Sequence, residues 1–224
     1  MLARRVGLEI PGPVMTEQSK ADQYARAAHD WTERQYASPE AVLSRRVELL
    51  LTLGPRLVPD DTVLELGCAD GSVGELLVAH GLRYHGVDAT SEMVAATQRR
   101  LGDPAIAEVG DLNTYVPAEP VAATALFRAI IYVADQRAFF RHVAEFTVRK
   151  LLFDFNPRQY DAASVVADLR AAGWSHVVLR PFFVPTTTTL PKPALATARA
   201  LERTGLLARL VLRYRFVYVV AAWR

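Results

Sequence analysis

The chain of 224 residues contains one cysteine, Cys68, so no internal disulfide can form and nothing calls for an oxidising compartment. It lacks an apolar run long enough to span a bilayer, although 51% of its residues are hydrophobic. It lacks an excess of either charge: 26 lysines and arginines against 24 acids leave a net +2, which gives no reason to invoke nucleic acid. No His/Cys/Asp cluster has metal-ligand spacing, and there is no internal repeat. A Walker-type lysine turn and a Gly-x-Ser-x-Gly elbow are both missing. These absences set aside disulfide-stapled, membrane-spanning, metal-centred, P-loop and serine-hydrolase chemistry. The length suits one domain with appendages, able to bury a core by itself.

What is present centres on Val63-Leu64-Glu65-Leu66-Gly67-Cys68-Ala69-Asp70-Gly71-Ser72-Val73-Gly74. A short apolar strand breaks into a turn of small residues, and the spacing of Val73, Leu76, Leu77 and Val78 predicts a helix after it. Small residues let a ligand approach the backbone, and the amides of the new helix face whatever lies over the turn. A second strand, Arg83 to Asp88, ends in an acid about 20 residues further on, where a nucleotide-type ligand presents its ribose hydroxyls. A carboxylate can accept both. A third strand, Ile106 to Leu112, brings Asp111 to a similar end.

At these residues the chain resembles the class I S-adenosylmethionine-dependent methyltransferases, over roughly residues 40–185. Glu65-x-Gly67-x-Ala69-x-Gly71 is similar to their first motif, Asp88 to their ribose-binding acid, and Asp111-Leu112 to their adenine-contacting pair. Ala69 departs from the glycine many members carry, but alanine is small enough to keep the turn. The resemblance implies a Rossmann-like, doubly wound α/β fold. Its seven-stranded, mostly parallel sheet would run in the order 3-2-1-4-5-7-6, with an antiparallel last strand and helices on both faces. It also implies S-adenosyl-L-methionine as cofactor and S-adenosyl-L-homocysteine as product. The cofactor-binding set so implied is Glu65, Gly67, Cys68, Ala69, Gly71, Asp88, Ala89, Met93, Asp111, Leu112 and Arg128, with Met93 equally readable as core.

A dinucleotide reading competes, because Ala69-x-Gly71-x-x-Gly74 matches G-x-G-x-x-G if its first glycine is alanine. Against it, Glu65 would set a carboxylate near a pyrophosphate, and Asp111 has no required role. An S-adenosylmethionine-binding protein without turnover is the third reading. For Cys68, a small residue that fits the turn is favoured over a reactive thiol.

Residues 1–20 read as a disordered leader, with Met15 an alternative start and Pro11, Pro13 and Glu9 breaking any signal-like apolar region. Residues 21–55 read as helical: Tyr24, Ala27, Ala28 and Trp31 recur at helical spacing, and Pro39 opens a helix with Val42, Leu43, Val47, Leu50 and Leu51 inward. The resemblance implies that these helices form a lid over cofactor and substrate. The core occupies 56–224, with a loop and helix insertion at 185–210. Tyr24, His29 and Tyr132 are the candidates for orienting the acceptor or removing its proton, and Tyr36, Arg128, Asn156, Arg158 and Tyr160 for binding it. Arg128 and Tyr132 follow the fourth strand, and Asn156, Arg158 and Tyr160 the fifth, at the end where such sheets bind ligands. An arginine there can clamp a carboxylate or phosphate bidentately, although pairing with a local acid is as good an account. Asp154, inside an apolar run, needs a partner. Ser91 and Asp135 are expected helix caps, and His142 a packing or surface residue. Arg199, Arg203 and Arg209 lie on an amphipathic helix near 196–210, with Arg213 and Arg215 beyond; a solvated helix face is favoured over contact with an anionic surface. The expectation is a cytoplasmic O-methyltransferase of a small metabolite with anionic or glycan character. It would have no nucleic-acid partner and no integral membrane segment, and a homodimer is allowed.

Overall fold

In the computed structural model, strands and helices largely alternate from Thr62 onward in one sheet, and every strand but the last exits toward the same edge. The structure describes Ala28, residues 30–205, Ala208 and residues 216–224. The strands are β1 (Thr62–Leu66), β2 (Arg83–Asp88), β3 (Ala107–Val109), β4 (Val121–Leu126), β5 (Thr147–Phe155), β6 (His176–Phe182) and β7 (Val217–Trp223). They form one seven-stranded sheet in the order β3-β2-β1-β4-β5-β7-β6. The first five pair in parallel, and β7 runs antiparallel between β5 and β6. The topology implied by the resemblance is the topology found.

The helices are α1 (Trp31–Gln35), α2 (Pro39–Thr52), α3 (Ser72–Ala79), α4 (Ser91–Leu101), α5 (Gln136–Phe146), α6 (Ala162–Ala171) and α7 (Lys192–Leu201). Alternation along β1 splits the core in two. Val63 points with α2, α3 and α4 into one cluster, while Leu64 and Leu66 point with α5 and α6 into the other. Phe140 of α5 packs on Phe153 of β5 at 5.2 Å between ring centroids, and Trp174 seals the second cluster by donating its indole N–H to Phe140 O.

Several local signals act as read. Pro39 sits at the start of α2, Asp135 caps α5 through the Ala138 amide, and Gly173 turns left-handed (φ +97°) after α6. Others need correction. Ser91 is the first residue of α4, whose N-cap is Thr90, and its hydroxyl turns to Glu92. Of the apolar residues whose spacing predicts α3, Val73 and Leu77 are buried and Val78 is 43% exposed. The insertion helix begins at Lys192, ahead of the expected 196. The expected leader, Tyr24 and His29 lie outside the described residues, as do Arg209, Arg213 and Arg215.

One face of β5 carries charge into the core. Lys150, Leu152 and Asp154 point toward α2. The Lys150 ammonium donates to the carbonyl of Leu53, the C-cap of α2, at 2.9 Å; burial pulls its pKa down to about 8. Asp154 meets Arg46 from the middle of the same helix. No described helix is long and apolar enough to cross a membrane.

Candidate active site

The glycine-rich turn doubles back on β2 through three left-handed residues: Gly67 (φ +79°), Ala69 (φ +50°) and Gly71 (φ +75°). Gly67 and Cys68 donate their amides to Val87 O, which draws the turn against the end of β2. A Cβ at Gly67 would stand 2.8 Å from that of Ala129, so this glycine answers to packing as well as to φ. Ala69 holds a conformation that costs an L-residue roughly 1–2 kcal/mol. Its amide donates to Asp88 Oδ2 at 3.0 Å, while Asp88 Oδ1 accepts from Thr90 N at 3.0 Å. Asp88 is thereby fixed at the mouth of the turn, half-buried. Burial raises its pKa, and the backbone donors oppose the rise.

Glu65 lies under the turn, 2% exposed, and accepts the Tyr84 hydroxyl at 2.7 Å. Burial pushes its pKa up to about 8, against the pull of Tyr84 and of the Arg46 charge. The Cys68 thiol is buried 3.7 Å from Thr97 Oγ1, and burial pushes its pKa well up. It is an inert thiol, so any ligand contact at this position runs through the backbone. Met93 is buried with Ala28 and Ala96, against Trp31 and Ala69, so the residues preceding α2 reach over the turn.

Asp70, unassigned from sequence, is the hub that holds them there. Its buried carboxylate accepts the Thr32 hydroxyl at 2.8 Å and, at 3.3 Å, the Thr32 amide. It also accepts the Ser72 hydroxyl and amide and the Arg100 guanidinium, while Arg100 Nε donates to the Asp70 carbonyl. The signal was the acid two residues ahead of a serine inside a turn, which favours self-capping of that kind.

At the exits of β4 and β5 a second constellation forms. Asp154 is 2% exposed; Oδ2 accepts from Arg46 and Oδ1 from the backbone amide of Arg128. Arg128 is left-handed (φ +56°), and its guanidinium lies 5.6 Å from the centroid of the Tyr36 ring. No carboxylate among the described residues pairs with it. The Arg46 guanidinium lies over the same ring at 5.4 Å and donates to the Tyr36 hydroxyl. Its Nε is buried without an acceptor among the described residues. Arg46 was legible as the polar member of an apolar stripe with Val42, Leu43, Leu49 and Leu50.

The remaining sequence candidates separate. Ala89 is exposed next to Asp88, and Asp111 is exposed at the end of β3 with Leu112 buried behind it. Asp111 Oδ1 accepts from Asn113, whose amide bonds the Tyr132 carbonyl and the Ala134 amide, so the β3 and β4 exits are tied together. Tyr132 ends a short 3₁₀ turn and is 36% exposed at this rim. Asn156 accepts the Arg158 amide in its own turn, and Arg158 is exposed. Tyr160 leans edge-on to Phe155, its hydroxyl 3.5 Å from Ile130 O, and packs on the core. His142 packs as expected, bonding Tyr115 O.

Residues 63–150 match the family model described as a methyltransferase domain. No curated protein sequence matches the chain. Many solved structures share the fold. A chain of the Haloferax volcanii complex containing the Trm112 methyltransferase activator is 18% identical, with 93% of this chain and 97% of that one covered and a TM-score of 0.65. The Haemonchus contortus phosphoethanolamine N-methyltransferase 2, bound to phosphomonomethylethanolamine and S-adenosylhomocysteine, is 14% identical (93% and 58% covered, TM-score 0.63). The magnesium protoporphyrin IX methyltransferase of Synechocystis PCC 6803, with bound S-adenosylmethionine, is 17% identical (91% and 83% covered, TM-score 0.56). The fold is that of the class I methyltransferases. Residues 63–150 thus match a methyltransferase-domain model within a fold shared with structures that bind S-adenosylmethionine or S-adenosylhomocysteine.

Proposed function

We propose that the protein methylates an oxygen of a small-molecule acceptor that carries an anionic or glycan part, with S-adenosyl-L-methionine as donor and S-adenosyl-L-homocysteine as product. The donor set fits such a cofactor. Asp88 is a carboxylate held half-buried at the mouth of the turn, suited to a ribose diol, and Asp111 is an exposed acceptor beside buried, apolar Leu112 for an adenine edge and face. The Glu65 carboxyl and the unmet Nε of Arg46 are neighbouring polar groups for an amino-acid end. When bound, S-adenosylmethionine supplies an electrophilic sulfonium methyl.

The chain's own part is then alignment, plus acceptance of the proton that the acceptor hydroxyl loses. Tyr132 at the rim, with Tyr24 and His29, stays proposed for that role. The single observation that carries the acceptor class is Arg128: an exposed guanidinium, set on Tyr36 and fixed from behind by Asp154, at the strand end where ligands lie. Asn156 and Arg158 would extend the same wall, and Tyr160 would support it. A cytoplasmic protein belongs to the same reading.

The test is calorimetric titration with S-adenosylhomocysteine beside NADH, followed by an acceptor screen with isotope-labelled S-adenosylmethionine. Micromolar binding of S-adenosylhomocysteine alone, and label on an anionic hydroxyl compound that falls with Arg128→Ala at unchanged cofactor affinity, supports the proposal. Binding of NADH alone overturns the cofactor, and equal loss of both functions overturns the role of Arg128.

A further inference from the structure

The charge of this chain is divided along its length. After Asp168 it carries nine lysines and arginines and a single acid, Glu202, so the near-neutral whole conceals an acidic first part and a strongly basic last part. Glu202 does not neutralise the outer surface. It is 2% exposed, paired to Arg45 of α2, and its other oxygen accepts the Phe183 amide at 3.0 Å. Of the basic groups around it, Lys192 and Arg203 are exposed and Arg199 is half-buried.

Three of them converge. Lys192, Arg199 and Arg203 line a groove of about 430 Å³ between α7 and α2, interleaved with Leu195, Ala196 and Ala200. The acid at this groove, Glu48, is occupied by Arg45 at 2.7 Å. Arg199 Nε is buried without an acceptor among the described residues, an unmet donor within this wall. No residue of α7 is buried, so the helix offers a complete face to solvent. Lys192 and Arg203 stand roughly 16 Å apart at the helical rise, too far for one phosphate to bridge. Apolar side chains between the cations, and the absence of an aromatic residue among those lining the groove, suit lipid headgroups better than stacked bases.

We infer that the α7 face, with Lys192, Arg199 and Arg203, docks the protein peripherally on an anionic bilayer. Docking there sets the acceptor side of the molecule close to the surface. The loop leading into α7 is hydrogen-bonded to Ala37, through Thr186 O and Thr189 Oγ1, directly beside Tyr36.

The experiment is co-sedimentation of the full chain with phosphatidylcholine vesicles, with and without phosphatidylglycerol, across a salt series. Binding that needs phosphatidylglycerol and weakens with salt is expected. The variant K192E/R199E/R203E should partition at least about a hundredfold less, while still unfolding cooperatively on heating. Because the triple change sits near the Glu202 pair, Lys192→Glu alone, at an exposed position, is the second variant, with a loss of at least about fivefold. Equal binding to neutral vesicles, undiminished binding of both variants, or no sedimentation even at low salt overturns the inference. So does displacement by millimolar inorganic phosphate or by a single-stranded oligonucleotide. None of these readouts depends on cofactor binding or methyl transfer.

Discussion

One oxygen of the Asp154 carboxylate accepts the backbone amide of Arg128, and the other holds the guanidinium of Arg46. The conformation of Arg128, left-handed and therefore strained for a bulky residue, is thus secured by an ion pair with a helix that begins before the sheet does. Tyr36, flanked by both arginines, joins the same assembly. The direction of the exposed Arg128 side chain is set from the core outward.

That assembly is breakable. Arg46→Met leaves a buried carboxylate with one backbone donor and is expected to cost about 3–5 kcal/mol in chemical denaturation. Adding Asp154→Asn should restore part of the loss, because the stranded charge is gone. Strictly additive losses would show that the two side chains do not act as a pair.

Asp88→Ala removes the acceptor at the mouth of the turn and also the partner of the Ala69 and Thr90 amides. S-adenosylhomocysteine affinity should fall at least about a hundredfold by calorimetry, on the scale of two hydrogen bonds to a charged group. Undiminished affinity would mean that the ribose lies elsewhere.

Ala69 gives a test of opposite sign. Ala69→Gly relieves the left-handed strain at φ +50° and should raise stability by roughly 0.5–1 kcal/mol after the entropy of the unfolded glycine is counted. Ala69→Val should lower it and weaken S-adenosylhomocysteine binding with it. Thermal unfolding of the three proteins side by side decides the matter.

Glu65 makes stability depend on pH. Its folded pKa, raised by burial from 4.5 to about 8, means that its neutral form is the one the fold accommodates. The stability tied to it is complete below pH 4.5 and is lost as pH climbs toward 8. Glu65→Gln keeps an acceptor for Tyr84 without that titration. It should match the wild type near the acid end of this window and become increasingly more stable than it toward the alkaline end. Parallel curves would refute the link.

The sequence carried the parts of the site that are local. Gly67, Gly71 and Asp88 lie within one strand-turn-helix-strand unit, where spacing alone fixes proximity. The contacts that position the candidate site are distant in the chain: Thr32 to Asp70, Arg46 to Asp154, Arg45 to Glu202. No periodicity reports such pairs, and a buried arginine in a helix looks, residue by residue, like one on a solvated face. The strand order came from resemblance, since strand count and spacing do not choose between sheet topologies. Asp154 was flagged as needing a partner, but only the fold could bring Arg46 to it.

The two charged groups that β5 sends beneath α2 have a mechanical consequence. Lys150 fastens the end of that helix and Asp154 its middle, so a slide by a single turn would strand both at once. A helix gripped at two points is a poor hinge. The stretch ahead of it, around Thr32, is held far more lightly, by a handful of hydrogen bonds to Asp70 and a small patch of side chains about Met93.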